Sequence, residues 1–156
     1  MSIEYEIEAG VDQVYALLTD PDYLSERSLA IGELSVEIEV QEGDAETTVI
    51  MKRTVVRDLP GWLAKIFSPE QEFELVETWR DTEQGLQASY ILSFLSQPVT
   101  VYADISLTPT DDGCIYEIEH RCKAKIPLIG GRVEKYVLGQ IIEGCDDELV
   151  YLAEAL

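Results

Sequence analysis

A chain of 156 residues with 31 acids against 11 bases carries a formal charge of −20. That excludes a nucleic-acid partner, which needs a basic footprint, and speaks against stable association with anionic membranes. Three cysteines without metal-ligand spacing and a single histidine leave no zinc site to read, and no cofactor is implied.

Ile3, Tyr5 and Ile7 alternate with Glu4, Glu6 and Glu8, a strand with one wet face. No leader is read before it, and no apolar run approaches a membrane span, so a reducing cytoplasm is the expected compartment. After Gly10, residues Val11, Val14, Tyr15, Leu17 and Leu18 recur at helical spacing, with Asp12 where the helix dipole favours an acid. Asp20-Pro21-Asp22 ends that helix and starts a second around Tyr23, Leu24 and Leu29. Leu34, Val36, Ile38 and Val40 then alternate as a strand, and Glu42-Gly43-Asp44 turns the chain. Residues 47–56 are β-rich, but Lys52 and Arg53 leave the buried face open. Pro60-Gly61 breaks the chain before Trp62, Leu63, Ile66 and Phe67, one apolar side of a short helix.

Phe73, Leu75, Glu77 and Trp79 lie on the next strand, and Ala88, Tyr90, Leu92 and Phe94 on the one after. Val99 to Leu107 alternate again, and Asp111-Asp112-Gly113 turns into Cys114, Tyr116, Ile118, His120, Cys122 and Ala124, the inward set of the last strand. That run reaches Pro127. A long helical pattern then spans Arg132 to Leu156, with an apolar stripe at Val137, Ile141, Cys145, Leu149, Leu152 and Leu156.

One strand, two short helices, six strands in hairpin succession and a final long helix predict an α+β domain over residues 1–156. Its curved antiparallel sheet wraps the C-terminal helix. If the first and last strands are neighbours, Glu4, Glu6 and Glu8 meet Arg121, Lys123 and Lys125 on the outer face.

The element order resembles the helix-grip superfamily that includes START lipid-binding domains and birch-pollen-allergen-like proteins (SRPBCC). Within it the chain looks like a bacterial branch of unknown function, over nearly its full length. Lys52-Arg53-Thr54, Pro60-Gly61-Trp62-Leu63, Pro98-Val99-Thr100-Val101, Leu107-Thr108-Pro109 and Ile126 to Tyr136 carry it. The resemblance implies a seven-stranded sheet gripping the last helix, with an apolar cavity between them. It carries over no catalytic residue.

Candidate cavity residues follow. On the helix, Val137, Ile141 and Cys145 form the stripe, and Glu148 lies beside it without the dipole that excuses Glu134. Gly139 and Gly144 inside the helix each cost about 1 kcal/mol relative to alanine, and close packing against the sheet is the expected reason. On the sheet, Trp79, Tyr90 and Tyr116 pair an apolar body with a polar tip. His120 and Glu77 are the weak candidates for acid–base chemistry, and a structural histidine is the commoner use. Arg53 and Glu77, if inward, could orient a ligand's polar group, although outward charges are the commoner case. Trp62, Leu63, Ile66 and Phe67 could serve as a lid or simply close one end of the sheet.

Three functional classes are compatible with these residues. The first is binding or carriage of a hydrophobic or amphipathic small molecule. The second, which the resemblance implies because the superfamily also contains such enzymes, is a cyclase- or hydratase-like enzyme using the same cavity. The third is a filled-core structural or interaction module. The absence of a paired acid–base constellation favours the non-enzymatic reading.

Overall fold

In the computed structural model, which describes residues 2–156, seven antiparallel strands form one sheet. They are β1 (Ser2–Ile7), β2 (Ser35–Glu42), β3 (Glu46–Val56), β4 (Glu70–Thr82), β5 (Gly85–Phe94), β6 (Val99–Pro109) and β7 (Cys114–Ala124). Their order across the sheet is β1-β7-β6-β5-β4-β3-β2. Helices α1 (Val11–Leu18) and α2 (Pro21–Ala30) connect the two edges, and α3 (Gly61–Ala64) is a single turn between β3 and β4. The long α4 (Gly130–Ala155) crosses the inner face. This is the helix-grip arrangement that the element order predicts.

Period-two alternation decides the faces. Val49, Met51 and Val55 of β3, Phe73, Leu75 and Trp79 of β4, Leu92 of β5, and Val101, Ile105 and Leu107 of β6 are all buried on the inner side. Each such side chain contributes about 1.5–3 kcal/mol through apolar burial. α4 lies closest to β7 and buries Val133, Val137, Cys145 and Leu152. Its off-centre seat leaves the β3–β5 side of the inner face less tightly covered.

α4 begins at a fixed point. A Cβ on Gly130 would stand 2.7 Å from the Ala124 carbonyl oxygen, whereas one on Gly131 meets nothing within 4 Å. The Ala124 N–H meanwhile donates to Glu134 Oε2 at 2.9 Å. The close glycine and the returning carboxylate therefore lock the helix onto the last residue of β7. Glu134 lies beyond the first turn of the helix, so this bond, rather than the helix dipole, accounts for its place.

Several expectations change. β1 and β7 are neighbours, but their register sets Glu4 opposite Glu117 and Ser2 opposite Glu119. The lysines lie beyond the end of β1, and Arg121 pairs instead with Asp104 at 3.0 Å. Leu29 and Leu156 are exposed, and α2 buries Arg27 and Ser28 instead. The last strand stops at Ala124 and the helix starts two residues early. Neither Gly139 nor Gly144 meets a neighbour within 4 Å of a built Cβ, so close packing explains neither.

Candidate ligand cavity

The space between α4 and the sheet is not filled. A cavity of about 130 Å³ lies there, walled largely by apolar side chains from α2, β3, β4, β5, β7 and α4. A wider groove of about 380 Å³ at the opposite end of the sheet is open and mostly polar-walled, with Asp44 and Asp81 on its rim. For scale, a dry engineered cavity of about 150 Å³ holds benzene, and a water takes roughly 30 Å³.

Every side chain read from the sequence as a candidate wall residue lines the cavity: Arg53, Trp79, Tyr90, Tyr116, His120, Val137, Ile141, Cys145 and Glu148, together with Glu77. The period of β3 was ambiguous to sequence reasoning, but Met51↔Leu75 and Arg53↔Phe73 pairing puts Arg53 on the inner face. The proposed lid divides. Leu63 and Phe67 point into the wall, while Trp62 and Ile66 do not line it. Trp62 instead meets Tyr136 edge-on at 6.1 Å and carries the Arg132 guanidinium 3.9 Å from its ring centre.

One end of the cavity holds a buried ion network. Arg53 lies 3.2 Å from Glu33 and 3.6 Å from Glu148, and Arg27 lies 3.6 Å from the other oxygen of Glu148. The Arg27 residue is only 7% exposed. Burial works against its charge, but Glu148 and then Tyr23 and Glu77 overcome it, so its pKa rises. Arg27 Nε, Arg53 Nε and Glu33 Oε1 are buried without a hydrogen-bond partner. Leaving such groups unpaired costs free energy unless something else satisfies them. Sequence reasoning missed Arg27 and Glu33 because the signal, an arginine on the face shared with Tyr23 and Leu24, looks like a helix-surface charge.

Glu77 sits within reach of this network, accepting a 2.7 Å hydrogen bond from Trp79 Nε1. Burial raises its pKa to about 7, against the opposing pull of Trp79 and Arg27. His120 behaves in the opposite way: burial lowers it to about 4, which leaves the imidazole neutral at ordinary pH. Its ring lies 6.2 Å from that of Tyr90. Burial also raises Tyr90, Tyr116 and Cys145, the last to about 12, so these groups stay protonated. No group of histidine, cysteine and acid side chains that could hold a metal occurs among the described residues, and all three cysteines are free thiols.

The other end is closed differently. Arg57 Nη1 donates to Gln140 Oε1 at 3.1 Å, a cation against a neutral amide. Beside it runs the Trp62–Tyr136 contact. The Gln97 side chain donates to Ile66 O at 3.0 Å and ties this connection to the β5–β6 turn.

A curved sheet, a gripped helix and a cavity between them define a START-like, helix-grip domain, and solved structures show the same fold. Over 99% of this chain and 94% of the other, the structure of TTHA0849 from Thermus thermophilus superposes with a TM-score of 0.66 at 18% identity. A START superfamily protein from Mycobacterium smegmatis covers 99% of this chain and 97% of its own, with a TM-score of 0.63 at 13% identity. By sequence, residues 2–156 match a family described as a protein of unknown function (DUF2505), and the chain belongs to that family. An uncharacterized protein of Mycobacterium tuberculosis is 25% identical over 151 residues, covering 90% of this chain and 86% of that one.

Proposed function

We propose that this chain binds or carries a small amphipathic molecule in the cavity between α4 and the sheet. The carrying observation is an apolar-walled space of about 130 Å³ that ends on a buried ion network with unsatisfied donors and an unsatisfied acceptor. Apolar contact with Leu75, Leu92 and Ile141 would supply affinity, at roughly 25 cal/mol per Å² buried. The polar end would orient the ligand. Two guanidinium groups face two paired carboxylates there, so a neutral head such as a hydroxyl or carbonyl suits the charge balance better than a free acid. In its present shape the cavity accommodates a molecule of about benzene size. A longer chain needs the α3 end to give way. The START-like fold supports this reading.

Extraction of the natively purified protein and mass spectrometry of the extract test the proposal. A co-purified amphiphile, absent when Gly144→Leu fills the wall, is the expected result. Preparations that are empty and take up no short-chain alcohol on titration would count against it.

A second reading, a proton-transferring enzyme of the cyclase or hydratase kind, has one observation in its favour: a carboxyl tuned to about 7 inside the cavity. In that case Glu77 rather than His120 moves the proton. Glu77→Gln should then abolish turnover of a bound substrate while leaving its binding intact.

A further inference from the structure

The −20 charge is not evenly spread. Segments 57–69 and 122–135 carry six of the 11 bases, namely Arg57, Lys65, Lys123, Lys125, Arg132 and Lys135, and only two of the 31 acids, Asp58 and Glu134. Glu134 is already engaged with the Ala124 N–H. The fold gathers these segments at one end. Trp62 and Arg57 of the first touch Tyr136 and Gln140 just past the second. The β5–β6 turn between them is bonded to both sides, through Gln97 to Ile66 O and through Lys125 N–H to Pro98 O. Apart from Arg57, which is half-buried, the six bases are exposed. Glu70 and Glu72 border the patch on the outer face.

The same end exposes apolar side chains that the fold does not use. Leu128 stands fully in solvent at the tip of the β7–α4 turn, and its φ of 70° makes it the one non-glycine residue with positive φ among those described. A leucine in that conformation is strained, and glycine or asparagine would serve the turn better. Leu95 and Val56 are also exposed at this end. Strain and exposure at one side chain, in a segment that also exposes Lys123, Lys125, Arg132 and Lys135, have no return inside the folded chain.

We infer that this basic, leucine-tipped end docks reversibly on an anionic lipid surface. It is also the end reached by the Arg57 and Gln140 wall of the cavity. Net charge does not forbid the contact. α4 alone is about 40 Å long, and potentials fall off within about 8–10 Å at ordinary ionic strength. Acids at the far end are screened from a surface that the near end touches. Apolar tip and basic ring together favour a membrane over an acidic protein, which would have no need of a protruding leucine.

Sedimentation with vesicles of phosphatidylcholine, alone or mixed with phosphatidylglycerol, tests this on the intact chain. Binding to the mixed vesicles only, weakened by salt, is expected. Lys125→Gln with Lys135→Gln should lower the partition coefficient about five-fold per base removed. Leu128→Gly should lower binding while leaving the fold at least as heat-stable as the parent, which separates lost docking from lost folding. Equal binding to both vesicle types, no binding to mixed vesicles at low salt, or binding unchanged in both variants would each overturn the inference. None of these readouts depends on the cavity being occupied.

Discussion

The two ends of the cavity are closed by different chemistry. At the α2 end four charged side chains from three elements and a loop interlock: Arg27, Glu33 and Arg53 largely out of water, and Glu148 half-buried. At the α3 end an edge-on pair of rings, a stacked guanidinium and one charge-to-amide hydrogen bond bridge the helix to a loop. Removing one partner of a buried ion pair strands the other charge, whereas removing a partly exposed contact to a neutral group strands little. The α2 end is therefore the fixed end, and the α3 end is the one that can open.

The largest expected effect follows from that contrast. Arg53→Met should destabilise the fold by about 3–5 kcal/mol, because Glu33 and Glu148 lose their shared cation. Arg57→Met should cost about 1 kcal/mol or less. Urea denaturation of both variants checks the pair, and equal losses would break the comparison.

The pH dependence comes next. Glu77 has a folded pKa of about 7, above its ordinary 4.5. Its contribution to stability is thus full below about 4.5 and is lost as pH rises to 7. His120 has a folded pKa of about 4, below its ordinary 6.5, so its contribution is full above 6.5 and is lost as pH falls toward 4. The two slopes oppose each other between roughly pH 4.5 and 6.5. Relative to the parent, Glu77→Gln should lose stability toward acid and His120→Gln should gain it, each by on the order of 2 kcal/mol across the window. Parallel curves for variants and parent would contradict the burial of both groups.

Smaller effects concern the glycines of α4. Gly130→Ala drives a Cβ toward the Ala124 carbonyl and should cost more than about 1 kcal/mol, while Gly131→Ala, in open space, should be neutral or mildly stabilising. Gly139→Ala should add up to about 1 kcal/mol through helix propensity alone. Gly144→Ala should gain similarly in stability, yet weaken ligand binding, because Gly144 lines the cavity and Gly139 does not. Thermal melts beside alcohol titrations separate the two.

Much of the architecture was legible because alternation on the strands and the 3.6-residue repeat of the last helix are strong signals. Strand alternation puts Tyr90, Tyr116 and His120 on one face, and the helical repeat puts Val137, Ile141 and Cys145 on one stripe. The helix-grip resemblance implies the cavity between them that all six line. What parity could not supply was register and cross-element contact. Glu4 faces Glu117 because the β1–β7 pairing ends at Ser2 opposite Glu119, four residues short of Lys123. Arg27 reads as a surface charge until α4 brings Glu148 to it. Trp62 reads equally as a lid or as a cap on one end of the sheet, and its contacts with Tyr136 and Arg132 join elements that spacing along the chain does not connect.

The two tryptophans give the most direct test of the cavity as a binding site. Trp79 lines it with its indole N–H bonded to Glu77, while Trp62 lies outside the wall. In a two-dimensional nitrogen–proton spectrum of the labelled protein titrated with 1-butanol, the Trp79 indole signal should move saturably, and Gly144→Leu should abolish the movement. A Trp79 signal that stays still at saturating alcohol would contradict the account.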